Sequence, residues 1–483
     1  MRLAIFTASV VAALALVTPA AADGRYFAPA QESASAGIAT DGSGALHAAH
    51  TGYDGATGDF VYYSTCATAC ETATNWSAVE LPFTDPQMIQ VAVTPDGRPR
   101  LLIQSATYES GASSLFSYAE CDAGCTSAAA WTIVPVASKA DGTFGNIFLY
   151  RIPQHSFAVD ASGRPWFVYT DANYGAEPDH YGTFLTTCGA VCTDPENWTE
   201  TNIAVRLPEK YVTEYWDQAA LAVTPDGRPR LLAKVYAVDE EGAEIESGAG
   251  LYYYECDAGC DTRTAFRRTR IIDTGSGSYP NPGWDLEVLP DGRPRVAFFA
   301  GAGMPQENLD NSLLYLWCDA DCASDSSWYG HGVTAKGDGE APDIALTADG
   351  KPRLAFLGQY GDLGALACDV DCESDAGQWT LKLQESTSDA AADRPTALPY
   401  TCDAELWNGM MPHLAVSGGQ SWFAYDLVVE ARCLYQEFGE PEITYQFHEL
   451  WRGSRLSWGD GVVVPPPAGA TLSGKVPSLA PSR

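Results

Sequence analysis

Positive charge is scarce in this chain. Its 483 residues carry 28 Lys and Arg against 62 Asp and Glu, a formal charge of −34. A field of that sign repels a phosphate backbone and an anionic lipid surface, so neither nucleic acid nor a membrane surface is expected as a partner. The acidity names no partner of its own, because it also serves solubility. Long apolar runs are missing after the first stretch of the sequence, so no span of the mature chain is expected to cross a bilayer. A sustained 3.6-residue pattern is missing as well, which disfavours long helices. There is no Gly-x-Ser-x-Gly elbow, no His-Glu-x-x-His pair and no phosphate-binding glycine loop, the short signatures of serine hydrolases, zinc proteases and nucleotide enzymes. Disorder is excluded by what is there: 46% hydrophobic and 11% aromatic residues can fill a sizeable core.

Residues 1–22 read as a secretory signal peptide. Arg2 supplies the positive end, residues 3–17 are almost wholly apolar, and Ala20-Ala21-Ala22 offers a small-residue cleavage site before Asp23. The expected location is therefore extracellular, cell-surface or periplasmic. Fourteen cysteines agree with export. Twelve form Cys-x3-Cys pairs: Cys66 with Cys70, Cys121 with Cys125, Cys188 with Cys192, Cys256 with Cys260, Cys318 with Cys322 and Cys368 with Cys372. Cys402 and Cys433 remain. An even count in an exported chain reads as disulfides, here six local staples and one longer Cys402–Cys433 bridge. Zinc is the competing reading, and it would need two pairs, or a pair and histidines, to converge on one ion.

The equal spacing of the pairs points to an internal repeat. A second phrase repeats in the same phase. Residues 91–101, Val-Ala-Val-Thr-Pro-Asp-Gly-Arg-Pro-Arg-Leu, return with small changes at 157–167, 221–231, 286–296 and 344–354, and in degenerate form at 38–44 and 414–419. The anchoring glycines are Gly44, Gly97, Gly163, Gly227, Gly292, Gly350 and Gly419. Each unit reads as four strands. A short apolar strand meets the Asp-Gly turn, Arg-Pro-Arg opens the second strand, and an alternating aromatic strand runs into Cys-x3-Cys. An aromatic (Trp76, Trp131, Trp198, Phe266, Trp328 or Trp379) then begins the fourth. The expectation is an all-β chain forming a disulfide-stapled, seven-bladed β-propeller of four-stranded blades over residues 23–461. A β-solenoid has shorter coils, and two sandwiches would not carry one phrase across the whole chain. The last unit lacks Cys-x3-Cys; its strands are expected at 414–416, 421–428 and 443–450. Its fourth strand is expected from residues 455–458 or from 25–28 closing the ring. Residues 462–483, with Pro465-Pro466-Pro467, read as a Pro-rich disordered tail.

The unit resembles the Asp-box (BNR-type) repeat of the sialidase-like propellers. In that family a Ser-x-Asp-x-Gly-x-x-Trp turn joins strands three and four. Here Cys-x3-Cys and the following aromatic stand in that turn, and Cys121-Asp-Ala-Gly-Cys125 and Cys318-Asp-Ala-Asp-Cys322 keep an Asp in the loop. The resemblance covers roughly residues 30–460 and is one of architecture and turn placement; the Asp-box consensus itself is absent. Tyr150-Arg151-Ile152-Pro153 is similar to the family's Arg-Ile-Pro motif, which implies a carboxylate-binding role for Arg151 and an acid/base role for Asp179. The family's chemistry also needs two more arginines and a Tyr nucleophile with a Glu neighbour. Arg394, Arg432, Glu437 and Tyr445 are available for these roles, though no spacing singles them out. The motif falls in blade three, whereas the family carries it in blade one.

Propellers bind ligands around the central channel, where the inner strands begin. The residues there that break the repeat are Gln87, Gln90, Arg151, His155, Trp216, Asp217, Trp284, Asp285, Asp343 and His413. Aromatic faces with polar neighbours suit a sugar ring and its hydroxyls. His155, Asp285, Asp343 and His413 are also of the types that hold a metal. The plainer alternative is that all of them satisfy strand ends along a wet channel. No cofactor is expected, Ca2+ alone being left open by the acidic runs Asp319/Asp321/Asp325 and Asp369/Asp371/Asp375, which lack the Gly and Glu of an EF-hand loop. The arginines of Arg-Pro-Arg are expected to pair with surface carboxylates. Asn75-Trp-Ser77 and Asn197-Trp-Thr199 match a glycosylation signal, but both occupy one repeat position, so turn chemistry explains them too.

Together these features predict an exported, monomeric, non-enzymatic binding propeller for an extracellular carbohydrate or protein. The first alternative is a glycan-active enzyme, a sialidase-like hydrolase or lyase using Arg151 and Asp179. The second is a structural cell-surface protein.

Overall fold

The structure, a computed structural model, describes residues 23–26, 32–54, 58–84, 86–105, 116–137, 155–171, 182–203, 206–207, 212–238, 250–273, 283–301, 311–358, 361–374, 377–386, 402–408, 412–436, 443–459 and 462–464. The signal peptide, Arg151, Asp179, Arg394, Glu437 and the chain after residue 464 lie outside these, as do the side chains of Trp216, Asp217, Cys402, Arg432, Cys433 and Tyr445.

Seven antiparallel sheets follow one another as the blades of a β-propeller. Blade one is Glu32–Thr40, Leu46–Asp54, Gly58–Cys66 and Ser77–Pro82. Blade two is Pro86–Val93, Pro99–Ser105, Phe116–Glu120 and Thr132–Ala137. Blade three is Phe157–Val159, Pro165–Asp171, Gly182–Cys188 and Trp198–Asn202. Blade four is Val212–Val223, Pro229–Val238, Gly250–Glu255 and Arg267–Ile272. Blade five is Trp284–Val288, Pro294–Phe299, Leu313–Cys318 and Trp328–Gly332. Blade six is Glu340–Leu346, Pro352–Leu357, Leu363–Cys368 and Trp379–Glu385. Seven clusters of buried residues fill the seven seams between neighbouring blades. Both faces of each sheet are therefore covered, and second strands such as Pro99–Ser105 are buried along their whole length.

The repeated phrases become repeated turns. Gly97 donates its N–H to Thr94 O at 2.8 Å and holds φ at +84°, a conformation that a side chain resists. All seven anchoring glycines share this positive φ. The six expected staples are all made. Disulfides join Cys66 to Cys70, Cys121 to Cys125, Cys188 to Cys192, Cys256 to Cys260, Cys318 to Cys322 and Cys368 to Cys372, each with Cα atoms 5.6–5.8 Å apart. Zinc, the competing reading of these twelve cysteines, is thereby set aside, because a sulfur in a disulfide is not a thiolate ligand. The residue before the second Cys takes a left-handed backbone in every loop: Ala69 before Cys70, Gly124 before Cys125, Val191 before Cys192, Gly259 before Cys260, Asp321 before Cys322 and Asp371 before Cys372. The aromatic six residues after the loop then turns back on it. Trp76, Trp131, Trp198 and Trp328 each donate the indole N–H to the carbonyl of the second Cys (Cys70, Cys125, Cys192 and Cys322), at 2.7–3.0 Å.

The same loop explains the arginines. The second Arg of Arg-Pro-Arg is buried and donates to the preceding Pro carbonyl, to the first Cys carbonyl and to the Asp that follows that Cys. Arg100 meets Asp122 at 2.8 Å, Arg230 meets Asp257 at 2.9 Å, Arg295 meets Asp319 at 3.1 Å and Arg353 meets Asp369 at 2.6 Å. Where the loop has no Asp, the strand has no Arg: blade one has His47 and Ala67 at these two positions, and blade three has Trp166 and Gly189. Asp319 and Asp369, read above as candidate Ca2+ ligands, thus each spend an oxygen on a buried guanidinium. Asn75 and Asn197 donate their amides to loop carbonyls, at 3.0 Å on Ala69 and 3.3 Å on Val191, so they act as caps of the turn.

Blade seven departs from the others. Its inner strand is split into Cys402–Asn408 and His413–Ser417, both paired with the long Gln420–Gln436. Ile443–Trp458 is one continuous third strand, so residues 455–458 belong to it, and the fourth strand is Asp23–Tyr26 from the start of the chain. Of the two expected closures, the N-terminal one is made. The register sets Cys402 directly opposite Cys433. The segment expected as a disordered tail opens instead with Val462–Val464 as a fifth strand on Trp379–Glu385 of blade six. Three consecutive valines suit a sheet edge; the rest of the expected tail, prolines included, lies outside the described residues.

Candidate site in the central channel

The inner strands carry a second system of contacts, and the accepting group varies among the seams. Ser35 Oγ of blade one accepts Ile89 N–H of blade two at 2.9 Å. Gln90 Oε1 accepts Ser156 N–H of blade three at 3.1 Å, and its amide donates to Ser156 Oγ at 2.6 Å. His155 O accepts Leu221 N–H of blade four at 2.5 Å. Asp285 Oδ2 of blade five accepts Ile344 N–H of blade six at 2.8 Å, and Asp343 Oδ2 accepts Leu414 N–H of blade seven at 3.2 Å. Asp426 Oδ2 closes the ring on Ser35 N–H at 2.6 Å. Six of the seven seams are stitched in this way among the described residues.

At one place these groups do more than stitch. His155 reaches across the channel from blade three, and its Nδ1 lies 2.6 Å from Asp285 Oδ2. Its Nε2 lies 3.9 Å from Asp343 Oδ1. His413 follows behind, with Nδ1 3.9 Å from Asp343 Oδ2. Both aspartates have 0% exposure, while the His155 side chain keeps 22%. Each carboxylate spends Oδ2 on the next blade's main chain; neither Oδ1 has a hydrogen-bond partner. One donor atom from each of His155, Asp285 and Asp343 lies within 4.8 Å of the others. These three could hold a cation.

The electrostatics follow from burying carboxylates together. Burial works against charge on His155, but the carboxylates of Asp285 and Asp343 outweigh it and hold the imidazole well above its ordinary range. Burial pushes the Asp343 carboxyl well up; the His155 charge opposes this and the Asp285 charge adds to it. Glu287, two residues beyond Asp285, is pushed up to about 7, mainly by burial. Burial, followed by the His155 charge, lowers His413 to about 3.

The other expected site residues separate. Gln90 is buried and committed to Ser156. Gln87 is exposed. Trp284 packs in the seam between blades four and five with 5% exposure, so it offers no face for a sugar to stack on. That corrects its expected role: beside Leu286 and Phe298 it is core. Trp216-Asp217 resembles Trp284-Asp285 in sequence but not in register. Asp285 pairs with Ala297, and the equivalent position in blade four is Ala220 opposite Leu232. Asp217, opposite Lys234, lies beyond a bulge towards the start of the strand. Ser35, Ser156, Asp426 and Glu287 were missed. An offset signal existed for two of them: Gln90, Ser156, Asp285 and Asp343 each stand seven residues before an anchoring glycine, and Asp426 stands seven after one.

No family model matches the chain, and neither does any curated protein. Solved structures do. A polysaccharide lyase of family PL25, an ulvan lyase, is 11% identical, with 83% of this chain and 92% of that chain covered and a TM-score of 0.46. The Penicillium chrysogenum alpha-L-arabinanase complexed with arabinobiose is 14% identical over 71% of this chain and 94% of that chain, TM-score 0.42. The Aleuria aurantia lectin is 12% identical over 91% and 98%, TM-score 0.33. At these values the likeness carries no argument about activity, and the reading of function rests on the chain's own residues. The Asp-box resemblance stays one of turn placement.

Proposed function

We propose that this protein is an exported, non-enzymatic β-propeller that binds an extracellular glycan at the mouth of its channel. The observation that carries the reading is the channel cluster. Side chains from blades three, five, six and seven converge there, yet both aspartates have 0% exposure and bond to main-chain N–H groups. A carboxylate that cleaves a glycoside must reach the glycosidic oxygen or the ring carbon. These two cannot, which favours binding over hydrolysis at this place. The polar His155 edge is the part of the cluster left open. Six disulfides suit an oxidising, exported setting. Among the described residues no helix is long and apolar enough to cross a membrane.

The test is a glycan array probed with the mature chain, followed by calorimetry on the best ligand and product analysis of the same mixtures. Binding without new reducing ends or unsaturated uronate supports the reading. A loss of about tenfold or more in Trp216→Ala would make that side chain part of the binding site. Turnover that disappears in Arg151→Ala or Asp179→Asn would replace this reading with the glycan-active enzyme. Binding to no glycan would end it.

A further inference from the structure

We propose that His155, Asp285 and Asp343 bind one first-row divalent transition ion of the zinc or manganese type, which clasps blades three, five and six across the channel. The ion shares His155 with the proposed glycan site, but its test uses no glycan, so the two readings fail separately; it revises the expectation of no metal drawn from the sequence.

Four observations meet here. First, the three residues present one donor atom each within 4.8 Å. Second, Oδ1 of Asp285 and Oδ1 of Asp343 are buried without a hydrogen-bond partner, a state that costs free energy unless something positive faces them. Third, the two Oδ2 atoms are held by Ile344 N–H and Leu414 N–H, so both carboxylates are oriented by an outer shell before any ion arrives. Fourth, the spacing suits an ion. His155 Nε2 and Asp343 Oδ1 stand 3.9 Å apart, too far for a hydrogen bond. An ion bonded to imidazole nitrogen at about 2.0–2.1 Å and to carboxylate oxygen at about 2.0–2.2 Å fits between atoms so spaced. A mixed nitrogen and oxygen set favours such an ion over Ca2+, which takes six to eight oxygens. A dipositive charge also balances the two carboxylates, leaving His155 to bind as a neutral ligand. Since His155 keeps an exposed edge, a remaining coordination position is open to water.

The experiment uses the mature, oxidised chain. It is stripped with chelator, desalted and titrated separately with Zn2+, Mn2+ and Ca2+, with bound metal measured by elemental analysis and calorimetry. The expected result is one Zn2+ or Mn2+ per chain retained through desalting. Asp343→Asn and His155→Gln should weaken binding at least about tenfold. Asp343→Asn keeps an acceptor for Leu414 N–H, and His155→Gln keeps the carbonyl that accepts Leu221 N–H, so neither removes the stitching. Co2+ in place of Zn2+ adds a readout of ligation: a visible band that His155→Gln abolishes. No retained ion, retention unchanged in both variants, or retention of Ca2+ alone would overturn the proposal.

Discussion

The seams between neighbouring blades have two halves, built by opposite rules. At the outer half a Tyr on the third strand meets the Trp of the next blade edge-on. The pairs Tyr63–Trp131, Tyr118–Trp198, Tyr253–Trp328 and Tyr315–Trp379 have ring centroids 4.9–5.1 Å apart and interplanar angles of 62–64°. Four seams thus share one contact. At the inner half the contact is a polar bond to the next blade's main chain, and the acceptor is not one repeated group: serine, glutamine and a main-chain carbonyl at one seam each, and aspartate at three. Shape alone decides the outer half, so one solution is copied. The inner half also faces the channel, where copies would give a symmetric ring of one residue type. Its variation brings two aspartates and a histidine together.

The largest test of this contrast is at the outer half. Trp328→Ala should cost about 3–5 kcal/mol in denaturant unfolding, because it removes a wholly buried ring, the bond to Cys322 O and the contact with Tyr253. A cost below about 1 kcal/mol would mean that the shared contact is not what joins the blades. Next comes the inner half. Asp343→Ala, measured in chelator, should cost about 3 kcal/mol by stripping Leu414 N–H of its acceptor and leaving the half-buried His155 imidazole beside fewer counter-charges. Asp343→Asn should cost less. Opening one staple with Cys318→Ala/Cys322→Ala should cost about 2 kcal/mol, the loop entropy of a five-residue ring. Smallest is a pH effect in blade one. Burial lowers His50 from 6.5 to about 3. The unfolded chain therefore takes up its proton first, so stability is full above about pH 6.5 and falls as pH drops towards 3. Between pH 6.5 and 5.5 the loss is at most about 1.4 kcal/mol. His413, lowered likewise to about 3, adds a similar slope, so His50→Gln should reduce the slope without abolishing it; an unchanged slope would assign it to other groups.

The outer half was legible in the sequence and the inner half only in part. Repeated turns announce themselves, because Gly97 and its counterparts need one backbone conformation and Cys-x3-Cys needs one spacing. The staples from Cys66 to Cys70 through Cys368 to Cys372 could therefore be paired before any fold was known. Even the pairing of Arg100 with Asp122 is written in the repeats, since Arg and Asp come and go together between blades. The channel residues were visible as breaks in the repeat, and His155, Asp285, Asp343 and His413 were named from them. What could not be read was which breaks face each other. Trp284 looked like a sugar platform because a Trp beside an Asp suits one, yet strand alternation turns Asp285 into the channel and Trp284 into the seam. The closure was open between two segments because both had strand character, and only pairing could choose Asp23–Tyr26.

The central claim is that the copied outer half carries the architecture and the varied inner half carries the function. Calorimetry of the best array glycan against two variants side by side tests it most directly. His155→Gln should lose at least about tenfold in affinity, while Cys368→Ala/Cys372→Ala, at the rim of blade six, should bind within about twofold of the unmodified chain. Full affinity in His155→Gln together with lost affinity in the rim variant would contradict the account.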